Sequence, residues 1–156
     1  MRCSLQDGEE RMNPSQRKKI DSKPVEVISN SGQIDTGTLV MWECSSKDEE
    51  DQVCLDLALA DQTVSATAET FFEALTEVRK SLEVLELKPV CLGARKDVYP
   101  SPMILHMGDG DKAYRMKMGQ QALMEHLVSI FDPDPDRSPS SVAEQEAYYQ
   151  EWLKSL

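Results

Sequence analysis

Histidine is scarce in this chain of 156 residues: only His106 and His126 occur, and neither stands in an HExxH or HxH spacing. Zinc sites built on such pairs are therefore excluded. The four cysteines, Cys3, Cys44, Cys54 and Cys91, form no CxxC and no ligand-like spacing, which predicts reduced, buried thiols. No GxSxG elbow, GxGxxG turn or phosphate-binding loop occurs. Asp109 and Asp111 flank Gly110 as at the opening of a calcium loop, but the later ligand positions and the terminal glutamate are missing. A tight turn is the expected role of that stretch. No run approaches the roughly 20 apolar residues of a membrane helix, and Met1 to Pro24 lacks the apolar core of a secretory signal. These absences predict a cytoplasmic protein with no metal, no cofactor and no catalytic residues.

Negative charge is what the chain has in excess. Its formal net charge is −11. Between Met1 and Lys23, six basic residues stand against four acidic ones, giving +2, so residues 24–156 carry −13. Such a surface repels phosphate backbones and anionic lipid, which argues against nucleic-acid or membrane binding by the folded part. A basic protein is its natural complement, although acidity also serves solubility alone.

The order of the chain predicts a mobile polar arm over residues 1–23 and a single α+β domain over 24–156. Val25–Ile28 reads as a strand ended by the turn Asn30-Ser31-Gly32. Thr38–Cys44 and Val53–Leu59 form a hairpin about the polar loop 45–52. Symmetric pairing places Leu39 opposite Leu59, Met41 opposite Leu57 and Cys44 opposite Cys54. Val53, Leu55, Leu57 and Leu59 then share the core face, because strand side chains alternate. Val40, Trp42 and Asp56 fall on the other face, which is either partly covered or a binding surface.

A helix is expected from about Ser65 to Leu85. Phe71, Leu75, Val78, Leu82 and Leu85 trace one apolar stripe, and Ser65 or Thr67 is the candidate cap. Pro89–Leu92 reads as a buried strand. Met103–Met107 and Ala113–Met118 read as a second hairpin about Gly108–Asp111, and Leu127–Phe131 as a further strand. Ser141 and Glu144 match a capping box opening a C-terminal helix, whose apolar side runs through Val142, Tyr148 or Tyr149, Trp152, Leu153 and Leu156. The sum is a mainly antiparallel sheet of about five to seven strands with two helices packed on it.

Two surfaces carry candidate chemistry. The acidic stretch Asp48, Glu49, Glu50 and Asp51 at a hairpin tip, with Trp42 and Asp56, suits a partner-binding face for a basic cleft. Alternatively, Arg95, Lys96, Tyr99, His106 and Arg115 around Gly93–Met107 provide a cationic and aromatic set for a small ligand. Arg95 could equally pair with a carboxylate of its own chain.

Gly93-Ala94-Arg95-Lys96-Asp97-Val98-Tyr99-Pro100-Ser101 with Met107-Gly108-Asp109-Gly110, and Val142-Ala143-Glu144-Gln145-Glu146 with Trp152-Leu153, resemble a group of small bacterial proteins similar to immunity proteins of toxin systems. The resemblance covers roughly the C-terminal half. It implies a stoichiometric inhibitor that occupies a cognate toxin and needs no catalytic residues. Three functions therefore stand: an acidic immunity-type inhibitor, a small-molecule-binding domain or small enzyme, and a homodimeric structural subunit.

Overall fold

The computed structural model describes residues 17–46, 49–105 and 108–156. The fold is α+β: a curled five-stranded antiparallel sheet and a three-stranded antiparallel sheet, joined by three helices, two of them long. The large sheet holds β1 (Arg17–Ser29), β2 (Ile34–Ser46), β3 (Glu49–Ala58), β4 (Thr63–Ala68) and β5 (Leu87–Val90), in the order β4-β3-β2-β1-β5. The small sheet holds β6 (Val98–Tyr99), β7 (Lys112–Arg115) and β8 (Leu127–Ser129), in the order β6-β7-β8. Helix α1 spans Phe71–Val84, the single turn α2 spans Pro102–Leu105, and α3 spans Val142–Ser155.

The turn after Ser29 forms where its residues predict it, with Gly32 at φ +91 and its amide donating to the Ser29 carbonyl. The strand before that turn is longer than apolar content suggests. It begins at Arg17, so Arg17–Lys23, assigned by polarity to the arm, are paired with β2. Pairing with a neighbouring strand, not burial, holds that end.

The β2–β3 register departs from symmetric closure by two residues. Leu39 faces Leu57, Met41 faces Leu55, and Cys44 faces Gln52 instead of Cys54. Both strands run further than expected, and an irregularity lies between Cys44 and Ser46. Because side chains alternate with a period of two, an even shift leaves every residue on its predicted face. Val53, Leu55 and Leu57 are accordingly buried.

Helix α1 starts later than predicted. Thr63–Ala68 mixes β-branched residues (Thr63, Val64, Thr67) with small ones, turns Val64 inward, and pairs with β3 as an edge strand. Neither Ser65 nor Thr67 is a cap. Thr70 is: its hydroxyl accepts from the Glu73 amide at 3.2 Å. The predicted stripe of Phe71, Leu75, Val78 and Leu82 is buried against the concave face of the sheet, whereas Leu85 is exposed.

The second predicted hairpin does not form. Ser101 followed by Pro102 is a helix-start signal, and the Ser101 hydroxyl accepts from the Ile104 amide at 3.2 Å. Residues 102–105 therefore coil, while β7 pairs with β6 and β8. The glycine-rich turn does another job. The carbonyls of Asp109 and Gly110 accept from the Phe71 and Phe72 amides, satisfying the open start of α1. Gly110 sits at φ +73, and a β-carbon there would lie 2.5 Å from that of Thr70.

One buried side chain ties these parts together. Arg79, on α1, is 1% exposed. Its guanidinium donates to Gln145 Oε1 at 2.6 Å and to the Ser140 carbonyl at 3.1 Å, with longer contacts to the carbonyls of Ala94 and Gly93. Gln145, on α3, in turn donates through Nε2 toward the carbonyls of Gly93, Arg95 and Val98. The Arg79 Nε is buried without a partner. Burial lowers the pKa of this arginine below its ordinary value, yet a guanidinium stays charged in proteins. Gln145→Leu roughly keeps the volume but removes the shortest acceptor of the Arg79 guanidinium and the amide that serves the carbonyls of Gly93, Arg95 and Val98. It is expected to lower unfolding stability by about 3 kcal/mol, read by urea denaturation.

Candidate functional site

The 92–94 helical turn and strand β6 aim Arg95 at carboxylates of its own chain. Nε and Nη2 grip Asp97 at 2.8 and 3.0 Å, and Nη1 bridges Asp134 and Asp136, both at 3.0 Å. Arg115, from β7, adds contacts to Asp97 at 3.4 Å and to Asp136 at 3.5 Å. The hydrogen bonds that Arg95 donates to Asp97 first, and the charge of Asp97, raise the Arg95 pKa above the ordinary value. Burial pushes the Asp97 carboxyl up, but Arg95 and Arg115 outweigh it and hold the pKa below 3.8. Asp134 further accepts from the amides of Asp136 and Ser138, which shapes the Asp-Pro-Asp-Pro-Asp stretch into a bracket around Arg95.

Two of the five residues singled out as a ligand set, Arg95 and Arg115, thus meet as an internal ion-pair network. Lys96 points outward, 5.8 Å from the centre of the Tyr148 ring. Tyr99 turns away from the arginines, because neighbouring strand residues face opposite sides. His106 lies outside the described residues. The carboxylates that complete the network, Asp134 and Asp136, are not apparent from local pattern. Their only signal is an acidic run long enough to answer Arg95.

Asp56 on the open face of the large sheet is also fully engaged. It accepts from Trp42 Nε1 at 3.0 Å, Ser65 Oγ at 2.8 Å and Arg17 Nη2 at 3.3 Å. Arg17 lies 3.9 Å over the Trp42 ring, a cation–π contact. The register places Trp42 opposite Cys54 and Val40 opposite Asp56, so Trp42 reaches Asp56 diagonally. Of the acidic tip, Asp48 lies outside the described residues. Glu49, Glu50 and Asp51 belong to β3 instead of a loop.

Cys44, Cys54 and Cys91 are free and buried. Burial, the leading cause, pushes Cys44 up to about 12 and Cys91 up to about 11, and it raises Cys54 as well. Thiolate is therefore suppressed at neutral pH. A third arrangement was not foreseen in sequence. Phe72 meets the edge of Tyr99, Tyr99 stacks on Tyr149 at 4.0 Å, and Tyr149 stacks on Trp152 at 6.0 Å. The Tyr99 hydroxyl donates to Glu146 at 2.8 Å, and Trp152 Nε1 donates to the Gln120 carbonyl at 2.9 Å. Burial first, then Glu146, raises the Tyr99 pKa, so its hydroxyl stays protonated.

Tyr99, Tyr149 and Trp152 of this stack wall a pocket of about 240 Å³ with no charged side chain in its lining, completed by Tyr114, Met116 and Leu156 among others. A larger crevice of about 500 Å³ runs beside the 131–137 loop, but its charged rim is paired within the chain, Lys23 with Asp132 and Arg137 with Glu26. Among the described residues no cluster of three metal-ligating side chains occurs, and no helix is long and apolar enough to cross a membrane. Compared with known proteins, the chain matches no family model and no curated protein sequence.

Two outcomes follow from this geometry. Arg95→Ala is expected to lower stability by about 2 kcal/mol at pH 6. The stability from the depressed Asp97 pKa is present above its ordinary value of 3.8 and is lost as pH falls through the lower folded one. The wild type should therefore lose stability more steeply than Arg95→Ala on acidification from pH 4 to pH 2. Separately, a thiol-reactive chromogen at pH 8 should reach Cys44, Cys54 and Cys91 only after denaturant is added, as peptide mapping of the modified sites would register.

Proposed function

We propose that the protein is an acidic, non-catalytic binding protein that acts by occupying a basic partner, as an immunity-type inhibitor occupies its toxin. The observation that carries this reading is the disposition of charge. Residues 24–156 hold −13, and exposed carboxylates such as Asp35, Glu43, Asp61, Glu69, Asp109 and Glu151 come from strands, turns and helices alike. The two arginines that a small anionic ligand would need, Arg95 and Arg115, are engaged by Asp97, Asp134 and Asp136. Removing those contacts to bind a ligand would leave the buried Asp134 and the part-buried Asp97 without their cation, which is costly for a buried carboxylate.

A field of this sign acts mainly on encounter. It raises the association rate of a cationic protein and falls away once the Debye length shrinks below about 10 Å. The expectation is that the tagged protein recovers one basic protein from its native cell at low salt and loses it progressively as salt rises. Salt-insensitive capture of an acidic or neutral protein would remove the reading. A small-molecule function keeps one supporting observation, the presence of Tyr99 in the wall of the aromatic pocket. Failure to recover any protein would move weight to it.

A further inference from the structure

The two edges of the large sheet are built differently. At one edge stands β5, which carries Lys88 and Pro89. Beside it runs the end of β1 that β5 does not reach, with Lys18, Lys19, Lys23 and Pro24 and a register irregularity between Lys19 and Asp21. Charge, proline and irregular register are the devices that keep an exposed strand edge from pairing with a further chain. The other edge is β4, Thr63-Val64-Ser65-Ala66-Thr67-Ala68, and it has none of them. It is the one strand of the large sheet without a charged residue. Its six residues pair with β3 in unbroken register, and α1 packs beside it. On the side away from β3, its backbone groups have no backbone partner among the described residues. An antiparallel pair uses only alternate groups of each strand, so this edge keeps a row of open donors and acceptors.

The ends of β4 add a sign. Asp61, in the turn before it, and Glu69, directly after it, are exposed and make no ion pair among the described residues. Asp109, exposed as well, is brought to the Glu69 end, because its carbonyl accepts from the Phe71 amide at 2.9 Å. From Asp48 to Val78 the chain holds nine acidic residues and no lysine, arginine or histidine. Arg17, which reaches in from β1, is held by Asp56. We propose that β4 receives an extended segment of the basic partner, which adds to the sheet as a sixth strand. That segment is uncharged where it lies along Thr63–Ala68 and carries lysine or arginine where its ends meet Asp61 and Glu69. This rests on the binding-protein reading above and gives it a location. Main-chain hydrogen bonds hold such a strand whatever its sequence, and the charges at its ends select it. Asp61 and Glu69 stand eight positions apart, at most about 26 Å of extended chain, so a segment of about nine residues reaches both.

The test uses the full chain and three defined peptides. The probe is acetyl-Lys-Lys-Thr-Val-Thr-Val-Thr-Lys-Lys-amide. One twin has glutamate in place of every lysine. The other has Pro-Pro in place of its first Val-Thr, which removes donors from both edges of the peptide. In calorimetric titration the probe is expected to bind about tenfold more tightly than either twin. The double variant Asp61→Lys, Glu69→Lys, changed only at exposed positions and checked by circular dichroism, should lose the advantage over the glutamate twin. Hydrogen exchange followed by NMR supplies a readout that charge alone does not move. Amides of Thr63–Ala68 should gain protection with the probe, and those of Arg17–Lys23 should not. Equal binding of the probe and its proline twin, or protection elsewhere than β4, would overturn strand addition while leaving an acidic protein that binds basic ones. Equal binding of the probe and its glutamate twin would overturn the cationic partner and the functional reading with it. Protection of β4 that grows with protein concentration, without peptide, would give the edge to a second copy and overturn the proposal. Binding by none of the three would overturn it too, while salt-sensitive capture of a basic protein from the cell would keep the reading it rests on.

Discussion

A charged guanidinium that makes no ion pair among the described residues sits in the interior of this molecule, and the positions of the segments around it depend on how it is satisfied. Arg79 leaves α1 among Leu75, Val78 and Leu82, where an apolar residue would be the ordinary choice. It is accommodated because the 93–95 turn and the residues entering α3 offer it neutral oxygens, and because Gln145 bridges the two. A buried cation is tolerated only while each of those oxygens is in place. The turn that precedes β6 and the start of α3 are thereby set relative to α1. Gly93 allows that approach, since a β-carbon there would lie 2.7 Å from side-chain atoms of Ile130 and Leu75.

Two surfaces follow from this fixed junction, and they differ in kind. On one side, Arg95 and Arg115 draw Asp97, Asp134 and Asp136 into a network that is complete within the chain. On the other, Tyr99 and α3 stack their rings and leave a hollow lined by aromatic and apolar side chains, the exposed Leu156 among them. The first is architecture, because every group already has its partner. The second has unused apolar surface, and unused surface is where association gains free energy.

Much of the fold was legible in the residues. The Asn30-Ser31-Gly32 turn, the inward set Val53, Leu55 and Leu57, the stripe of α1 and the Ser141–Glu144 capping box all rest on local rules of periodicity and backbone satisfaction. The errors arose where local signals compete. Thr63–Ala68 has helix-compatible alanines, but a vacant edge on β3 claims it as a strand. Met103–Met107 has strand-compatible residues, but Ser101-Pro102 starts a helical turn first. Of the candidate site, Tyr99 was singled out for its prolines and its cationic neighbours. Its actual companions, Tyr149, Trp152 and Tyr114, lie 50, 53 and 15 positions away along the chain, so no spacing rule joins them.

By itself the sequence determined the class of structure, the sign of the surface and most of the inward positions of β3 and α1, but not of α3, where Leu153 and Leu156 are exposed and Gln145 is buried. These depend on composition and on side-chain period, which are local quantities. Only the tertiary structure decided which charges are engaged and which surfaces remain open. The sequence allowed Arg95 a carboxylate of its own chain but did not say which, and the 132–136 loop supplied it. The aromatic residues of α3 looked like helix packing until Tyr99 of β6 stacked on Tyr149. Whether a polar group is satisfied depends on segments distant in the chain, and that is information a linear pattern does not hold.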